Sequence, residues 1–178
     1  MALLLHYTGQ DYINRGLLNT ALTPSSTSAI VGGCKTGKGF EFDGTANSAL
    51  SGNLALNNVE FSLSCWFMIT ATPPTAGRNV IFATNPIAVN RFILDVDDNN
   101  VIRFIVYFGS GGESFKTVLG SVATLNKWYH VAATCDDLNK IIRIFVNGIL
   151  INQKSYVGIL NIASNFIIGN RIGLSQYF

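Results

Sequence analysis

Charged side chains are scarce in this sequence. Lysine, arginine, aspartate and glutamate together make up 12% of its 178 residues, about half of the ~25% that is usual for a soluble domain. The formal net charge is +2, and the basic residues form no cluster, so the chain lacks the dense positive surface that nucleic-acid binding requires. Two interpretations of the low charge stay open: a β-rich core beneath a neutral polar surface, or a surface that is largely buried against other chains.

The sequence also has few cysteines and no long apolar run. Its three cysteines, Cys34, Cys65 and Cys135, are odd in number and irregularly spaced, which predicts neither a disulfide framework nor a zinc site. We therefore expect free thiols. No apolar stretch reaches the ~18 residues of a membrane span, and the apolar start at residues 2–5 is too short for a signal peptide. These absences predict no membrane insertion and synthesis in a cytoplasm.

Residues suited to hydrolytic catalysis are few and isolated. Glycoside hydrolysis needs a pair of carboxyl groups that flank one bond, yet the three glutamates, Glu41, Glu60 and Glu113, lie far apart in the sequence. No serine occupies a G-x-S-x-G motif. Of the two histidines, His130 is interpreted as a structural hydrogen-bonding residue and not as a base. The sequence thus predicts a protein that is not an enzyme.

What is present is a pattern of β-strands, which is clearest between Trp128 and Gly148. Within Tyr129–Cys135 apolar residues occupy every second position, the period of a strand with one buried face. The polar run Asp136–Lys140 predicts a turn. Asn147-Gly148 then predicts a two-residue type I′ turn, because both central residues of that turn need positive φ. A third strand, Ile149–Tyr156, is expected to fold straight back.

Other segments follow the same alternation, and a helical period of 3.6 residues is sustained nowhere. The clearest is Phe61–Thr70, and the residues predicted to be buried together on its apolar face are Phe61, Leu63, Cys65 and Phe67. The remaining predicted strands are Leu3–Tyr7, Ala29–Val31, Gly39–Phe42, Val80–Ala83, Arg91–Val96, Val101–Phe108, Ser114–Val122 and Phe166–Gly169. The segments predicted to be irregular are Thr8–Ser28 and Ala49–Asn58. About eleven short strands at regular spacing indicate a β-sandwich.

The order of these segments resembles a known fold family. The strand W-x-H-V-A-x-T at Trp128–Thr134, a short polar turn and a strand ending in Asn147-Gly148 are similar to the laminin-G-like branch of the concanavalin A-like jelly rolls. The further segments that fit its pattern in order are Leu3–His6, Gly39–Gly44, Phe61–Phe67 and Ile167–Asn170. The resemblance implies a single all-β domain over residues 1–178, built as a two-sheet antiparallel jelly-roll sandwich. This fold is shared by lectins, glycanases, adhesion modules and virion proteins, so it does not name a function.

One segment is rich in side-chain oxygens. Asp95, Asp97, Asp98, Asn99 and Asn100 lie within six positions, and oxygen-rich loops are typical of calcium sites. The same run suits a solvated hairpin turn, and it lacks the glycine and the terminal glutamate of an EF-hand loop. Calcium is therefore a candidate ligand of Asp95, Asp97, Asp98 and Asn99, and no other cofactor is predicted.

Aromatic residues on the predicted strands are candidates for glycan binding, which needs exposed rings beside polar groups. The candidates are Tyr107, Phe115 and Tyr156, together with Tyr7, Tyr12 and Trp66. A large aromatic on a strand also suits a sandwich core. Alternation alone does not distinguish these two roles.

The final segment, Arg171–Phe178, takes the place of the closing strand that the resemblance implies. Its apolar side chains are Ile172, Leu174, Tyr177 and Phe178. An exposed apolar segment next to a sheet edge promotes association. We therefore predict that residues 171–178 form an interaction tail that docks on another chain.

These features favour a non-enzymatic structural or binding module. The leading hypothesis is a bacteriophage virion component, such as a head-decoration, fibre or tail protein, made in the host cytoplasm and located in the virion. Its expected partners are other copies of itself or other virion proteins, with cell-surface glycans as a further candidate. The alternative hypothesis is a carbohydrate-binding adhesin or lectin-like domain, with or without calcium. Neither hypothesis involves nucleic acid or membrane insertion.

Overall fold

The chain folds into antiparallel β-sheets. The computed structural model describes residues 23–24, 29–35, 37–42, 50–57, 60–73, 75, 77–84, 90–108 and 115–169, and these ranges contain thirteen strands and no helix. The strands are β1 (Thr23–Pro24), β2 (Ala29–Cys34), β3 (Gly37–Glu41), β4 (Leu50–Asn57), β5 (Phe61–Phe67), β6 (Arg78–Thr84), β7 (Arg91–Asp97), β8 (Val101–Tyr107), β9 (Phe115–Val122), β10 (Tyr129–Asp136), β11 (Ile141–Val146), β12 (Ile149–Ser155) and β13 (Asn161–Ile168). Nothing in these ranges forms a helix able to span a membrane.

The strands form two large sheets and a small hairpin. The seven-stranded sheet has the order β1-β4-β13-β6-β7-β8-β9, the four-stranded sheet has the order β12-β11-β10-β5, and β2 pairs with β3. All of these pairs are antiparallel. Apolar side chains from both large sheets fill the space between them. The architecture is therefore the predicted all-β, two-sheet antiparallel sandwich.

Phenylalanine rings make the central contact between the two sheets. Phe61 of β5 stacks on Phe92 of β7 with ring centroids 4.7 Å apart. Phe82 of β6 stacks on Phe92 at 5.6 Å and on Phe166 of β13 at 5.1 Å. Fully burying one such side chain contributes about 1.5–3 kcal/mol, so this stack is a major part of the core.

The apolar alternation predicted for the four-stranded sheet is confirmed. Every second residue of β10, from Tyr129 to Cys135, is buried. On the neighbouring strand, Phe61 and Phe67 are buried, while Leu63 and Cys65 are partly buried against the same core. The opposite residues of both strands face away from the core.

The turns follow the predicted chemistry. Residues 137–140 connect β10 to β11. Asn147 and Gly148 have φ of 53° and 83°, as the type I′ turn requires. The hairpin from β7 to β8 is closed by Asp97, whose side-chain Oδ1 accepts the backbone N–H groups of Asn99 and Val101, each at 2.9 Å.

The prediction that Ala49–Asn58 is irregular is wrong. Strand β4 occupies Leu50–Asn57 and pairs along its whole length with β13. At Gly52 a Cβ atom would lie 2.7 Å from the ring of Phe166, so the glycine that weakens the strand signal is the residue that lets this ring approach the sheet. The partner strand is distant in sequence, and its contribution is invisible to local pattern.

Other differences concern strand ends and number. Thr23–Pro24, inside the segment predicted as a loop, pairs with Leu50 and Ser51. Strand β13 begins at Asn161 and not at Phe166, and β2 continues to Cys34. The part of the chain that is described has thirteen strands, against about eleven predicted. The predictions that fall outside the described residues are the strand Leu3–Tyr7, the glycan candidates Tyr7 and Tyr12, and the tail residues Ile172, Leu174, Tyr177 and Phe178.

The three cysteines are free thiols, as predicted. Cys135 is buried and Cys65 packs against the core. Burial raises the pKa of each of these two thiols to about 12. Since the thiolate is the reactive form, both behave as small apolar core residues.

Candidate functional site

The predicted oxygen-rich segment lies on the outer face of the seven-stranded sheet, where Asp95 is completely buried. Strand register places it opposite Arg103 of β8. Arg103 donates from Nε to Oδ1 at 2.9 Å and from Nη2 to Oδ2 at 3.0 Å, and Arg78 of β6 donates to Oδ2 at 3.2 Å. Burial raises the pKa of Asp95, while both guanidinium groups oppose that rise.

The remaining oxygen ligands are at the turn beyond Asp95. Oδ2 of Asp97 lies 3.5 Å from Nη1 of Arg103, and the exposed Nδ2 of Asn99 donates to Asp98. A calcium ion at Asp95 would have to displace two arginines, so Asp95 is poorly suited as a ligand. Among the described residues no group of three or more His, Cys, Asp or Glu side chains is arranged to hold a metal ion. Calcium binding at Asp97, Asp98 and Asn99 stays a prediction.

Tyr107, a glycan candidate, is on the same outer face as Asp95. The Arg91 guanidinium lies 3.7 Å from the centroid of its ring. The ring is partly buried beside a small apolar cluster that includes Ile93 and Ile105. Phe115 pairs with Tyr107 across β8 and β9, and its side chain lies outside what the structure describes. Tyr107 thus has a cation over its ring.

Tyr156, the third glycan candidate, lies inside the sandwich. Its ring stacks on Phe108 at 4.5 Å, and its hydroxyl donates to Oδ1 of Asp137 at 2.6 Å. The Sγ atom of Cys135 lies 3.5 Å from the same hydroxyl. Burial and these neighbours raise the pKa of Tyr156. The side chain therefore joins the turn at residues 137–140 to the core and presents no ring to solvent.

Trp66 presents the one exposed aromatic ring among the side chains that the structure describes, with 41% of its surface accessible. It lies on the outer face of the four-stranded sheet, directly opposite His130, with the two ring centroids 5.3 Å apart. The ammonium of Lys35, from the turn between β2 and β3, lies 5.0 Å from the Trp66 ring centroid. Asn147 fixes the end of the strand, because its Oδ1 accepts the His130 backbone N–H at 3.0 Å.

The residues Trp66, His130, Lys35, Ser64 and Asn147 are called the Trp66 platform below. It combines an apolar ring face with a cation, an imidazole, a hydroxyl and an amide. Ser64 is exposed on the same face of β5, two residues before Trp66. This is the composition of a site that stacks a flat ligand and hydrogen-bonds its edges.

The sequence pattern placed Trp66 among six aromatic candidates for glycan binding but did not single it out. A signal was available: Ser62 and Ser64 share its face, and small polar residues in that pattern are typical of a solvated sheet surface. Lys35 was not identified, because the contact between the β2–β3 turn and β5 joins segments that are separate in sequence. Tertiary packing, and not local pattern, assembles the platform.

A second exposed surface lies on β12. This strand ends the four-stranded sheet, and its first three residues, Ile149, Leu150 and Ile151, are exposed by 66%, 45% and 42%. A register shift between β11 and β12 leaves Ile151 without a partner across the pair. Bulges and edge lysines such as Lys154 commonly limit pairing at sheet edges. The residues Ile149, Leu150 and Ile151 are called the β12 edge below.

Comparison with solved structures supports the fold, because several proteins of known structure are similar to this chain. Domain 4 of AbnA, a GH43 extracellular arabinanase from Geobacillus stearothermophilus in complex with arabinotriose, is similar with a TM-score of 0.69 and 18% identity, over 99% of this chain and 87% of that one. The receptor binding domain of botulinum neurotoxin type G is similar with a TM-score of 0.70 and 14% identity, over 94% of this chain. This chain spans 43% of that toxin domain.

A third similar structure is the CBM40 of the Ruminococcus gnavus IT-sialidase, bound to α2,3 sialyllactose. The TM-score is 0.55 and the identity 17%, over 68% of this chain and 70% of that one. At these identities the likeness concerns the fold alone. No curated protein matches the chain.

A family model gives the assignment. The model described as the concanavalin A-like lectin/glucanases superfamily matches residues 42–178, which is most of the chain. This match confirms the resemblance carried by Trp128–Thr134 and the segments around it, and it agrees with the two-sheet jelly-roll sandwich. The chain belongs to the concanavalin A-like lectin/glucanases superfamily.

Proposed function

We propose that this domain is a non-enzymatic carbohydrate-binding module and that the Trp66 platform is its ligand site. The observation that carries the proposal is the exposed Trp66 ring, flanked by His130 and Ser64. A sugar ring has an apolar C–H face and polar edges. An indole face can cover the apolar C–H face of the sugar, and nearby hydrogen-bonding groups can pair with its polar edges.

The placement of the acidic residues supports a binding role over a catalytic one. Hydrolysis of glycosides needs two carboxyl groups about 5–10 Å apart around the scissile bond. Among the described residues, Asp95 is held by two arginines, while Glu41 is exposed at the end of β3 and Glu60 is exposed just before β5. The arabinanase domain and the CBM40 are solved with bound oligosaccharides, which adds support from the fold.

The test is a binding assay on a library of immobilised oligosaccharides. We expect Trp66→Ala to weaken binding by about tenfold or more, as is usual for an aromatic that dominates an interface. Leu138→Ala is the matched control, because Leu138 is 84% exposed in the turn between β10 and β11. Since Trp66 is outside the core, its replacement should change the free energy of unfolding by no more than about 1 kcal/mol. A Trp66→Ala protein that binds as well as wild type would refute the proposed site.

We also propose a second role, attachment to other protein chains as a component of a bacteriophage virion. The observation in its favour is the β12 edge, where three successive apolar side chains are exposed. Exposed apolar surface of this kind is typical of sites that contact another protein. The aromatic ring of the platform is on β5 and the β12 edge is on the strand at the other side of the same sheet, so one domain can use both sets of residues.

A further inference from the structure

We propose that the Trp66 platform selects anionic glycans, in which the sugar stacked on Trp66 carries a carboxylate or a sulfate. This inference rests on the proposed carbohydrate-binding function and names the ligand class of the same surface. It depends on the position of Lys35 and on the way charge is distributed over the outer face of the four-stranded sheet.

Lys35 occupies a position from which it can contact a stacked ligand. Its ammonium lies 5.0 Å from the centroid of the Trp66 ring, and the residue is exposed. A cation held over an exposed ring by cation–π attraction alone is weakly bound. The flexible four-carbon stem of lysine allows the ammonium to move to the edge of a sugar that stacks on the indole.

Charges on this side of the molecule are distributed unevenly. Lys127 is exposed just before β10, near the Trp66 end of the sheet. Glu60 and Asp136 are at the other end, six residues along their strands from Trp66 and His130, or about 20 Å away. Asp136 is paired with Arg143 at 3.2 Å. The Trp66 end therefore carries positive charge, and the carboxylates of these strands lie far from it.

The cations at the Trp66 end have no carboxylate partner among the described residues. In the described part of the chain, Lys140, Arg143 and Arg103 are each within ion-pair distance of an aspartate. Lys35 and Lys127 instead contact only aromatic rings among the described residues, those of Trp66 and Tyr129. A ligand anion would supply the opposite charge that Lys35 does not find within the described structure.

This arrangement discriminates between neutral and charged sugars. A neutral sugar that stacks on Trp66 displaces the Lys35 ammonium from the ring and gives it no replacement partner. An anionic sugar keeps the ammonium beside its own charge. Exposed ion pairs change affinity by about two- to fivefold, and salt screens them, so the preference should decrease as ionic strength rises.

The experiment uses a library of neutral, uronate-containing and sulfated oligosaccharides with four forms of the full chain. These are wild type, Trp66→Ala, Lys35→Gln and the control Lys38→Gln. Lys38 is an exposed lysine of the same hairpin, so its replacement removes the same charge away from the ring. The best anionic hit is then titrated beside its carboxyl-reduced or desulfated counterpart at low and high salt.

We expect Trp66→Ala to weaken all ligands by about tenfold or more, while Lys35→Gln weakens anionic ligands by about two- to fivefold and leaves the neutral counterpart unchanged. Binding of neutral glycans only, or equal effects of Lys35→Gln and Lys38→Gln, would overturn the anionic preference and leave the proposed function intact. Absence of binding to every glycan in the library would overturn both. The discriminating result is thus the difference between the two lysine variants on a matched pair of ligands.

Discussion

Asp95 combines complete burial with two ion pairs. It is buried with two arginines on the outer face of a sheet whose other face forms the main core. A buried charge is tolerated when it is paired and hydrogen-bonded, and removing one partner leaves the others uncompensated. Asp95 is therefore expected to determine how three neighbouring strands, β6, β7 and β8, align on that face.

Asp95→Asn should lower the free energy of unfolding by about 2–3 kcal/mol. This loss is at or below the ~3–5 kcal/mol typical of broken buried pairs. Arg103 and Arg78 keep 18% and 19% of their side chains exposed, so water can partly compensate the charges that lose their partner. Urea denaturation measures the loss of stability. Glu60→Gln removes the same charge at an exposed position and should have little effect. Equal losses in the two variants would contradict this account.

Asp136 gives the molecule a dependence on acid. Hydrogen bonds from the backbone and side chain of Asn139, and then the bond and charge of Arg143, lower the pKa of Asp136. A carboxyl whose pKa is lower in the folded state stabilises the fold above its unfolded pKa of about 3.9. That stabilisation is lost as the pH falls through the folded pKa.

Asp136→Asn should therefore be less stable than wild type near neutral pH and approach it as the pH falls below about 4. Urea midpoints measured at a series of pH values between neutral and strongly acidic provide the comparison. A difference between the two proteins that stays constant over this range would show that Asp136 does not act through its charge.

At the scale of single elements, the β11–β12 hairpin allows the effect of backbone conformation on stability to be measured separately from side-chain packing. Gly148 has φ of 83°, and a Cβ atom placed there would meet nothing within 4 Å. Gly148→Ala should therefore destabilise the fold by about 1–2 kcal/mol through conformation alone. Gly32→Ala in β2 is the control, since Gly32 also has open space but no positive φ. Thermal unfolding of the two variants should differ, and the prediction is wrong if they coincide.

The elements that sequence predicted well are those whose partners are close in the chain. Strands β7, β8 and β9 pair in succession, and so do β10, β11 and β12, so alternation and turn residues such as Asn147-Gly148 contained most of the information. Strand β4 was missed because its stability depends on β13 and on the Phe166 ring over Gly52. The sequence around β4 carries no information about a partner strand as distant in the chain as β13.

The candidate site was less predictable, for a related reason. Alternation placed Trp66 on the face opposite Phe61, but the same pattern suits a core aromatic and an exposed one. The sequence pattern grouped Asp95 with the turn that follows it. In the structure its carboxylate is buried and accepts hydrogen bonds from Arg103 and Arg78, which are on the two neighbouring strands. Burial and cross-strand contacts determined both outcomes, and each needs the sheet order as well as the sequence.

At the scale of the whole molecule, the β12 edge is the feature that bears on association. We expect the wild-type domain to self-associate as its concentration rises, because exposed apolar edge strands promote pairing between chains. Leu150→Lys should shift it toward monomer while changing the free energy of unfolding by less than about 1 kcal/mol. Sedimentation velocity over a range of concentrations measures the change.

The matched control is Leu138→Lys, which makes the same substitution at an exposed turn position outside the β12 edge. It should leave the association of the domain unaltered. A wild-type domain that is monomeric at every concentration, or an equal effect of the two leucine variants, would remove the β12 edge as an attachment surface.

The position of β13 in the seven-stranded sheet has a consequence for synthesis. This strand lies between β4 and β6, pairing Phe166 with Gly52 on one side and with Thr84 on the other. Because domains are made from the N-terminus onward, a nascent chain that has not yet emerged past Ile168 carries both neighbouring strands without their shared partner. Pairings of such long sequence separation form slowly. Folding of this sandwich is therefore completed only after β13 has been synthesised, and a ribosome stalled before β13 would hold a chain with two open sheet edges.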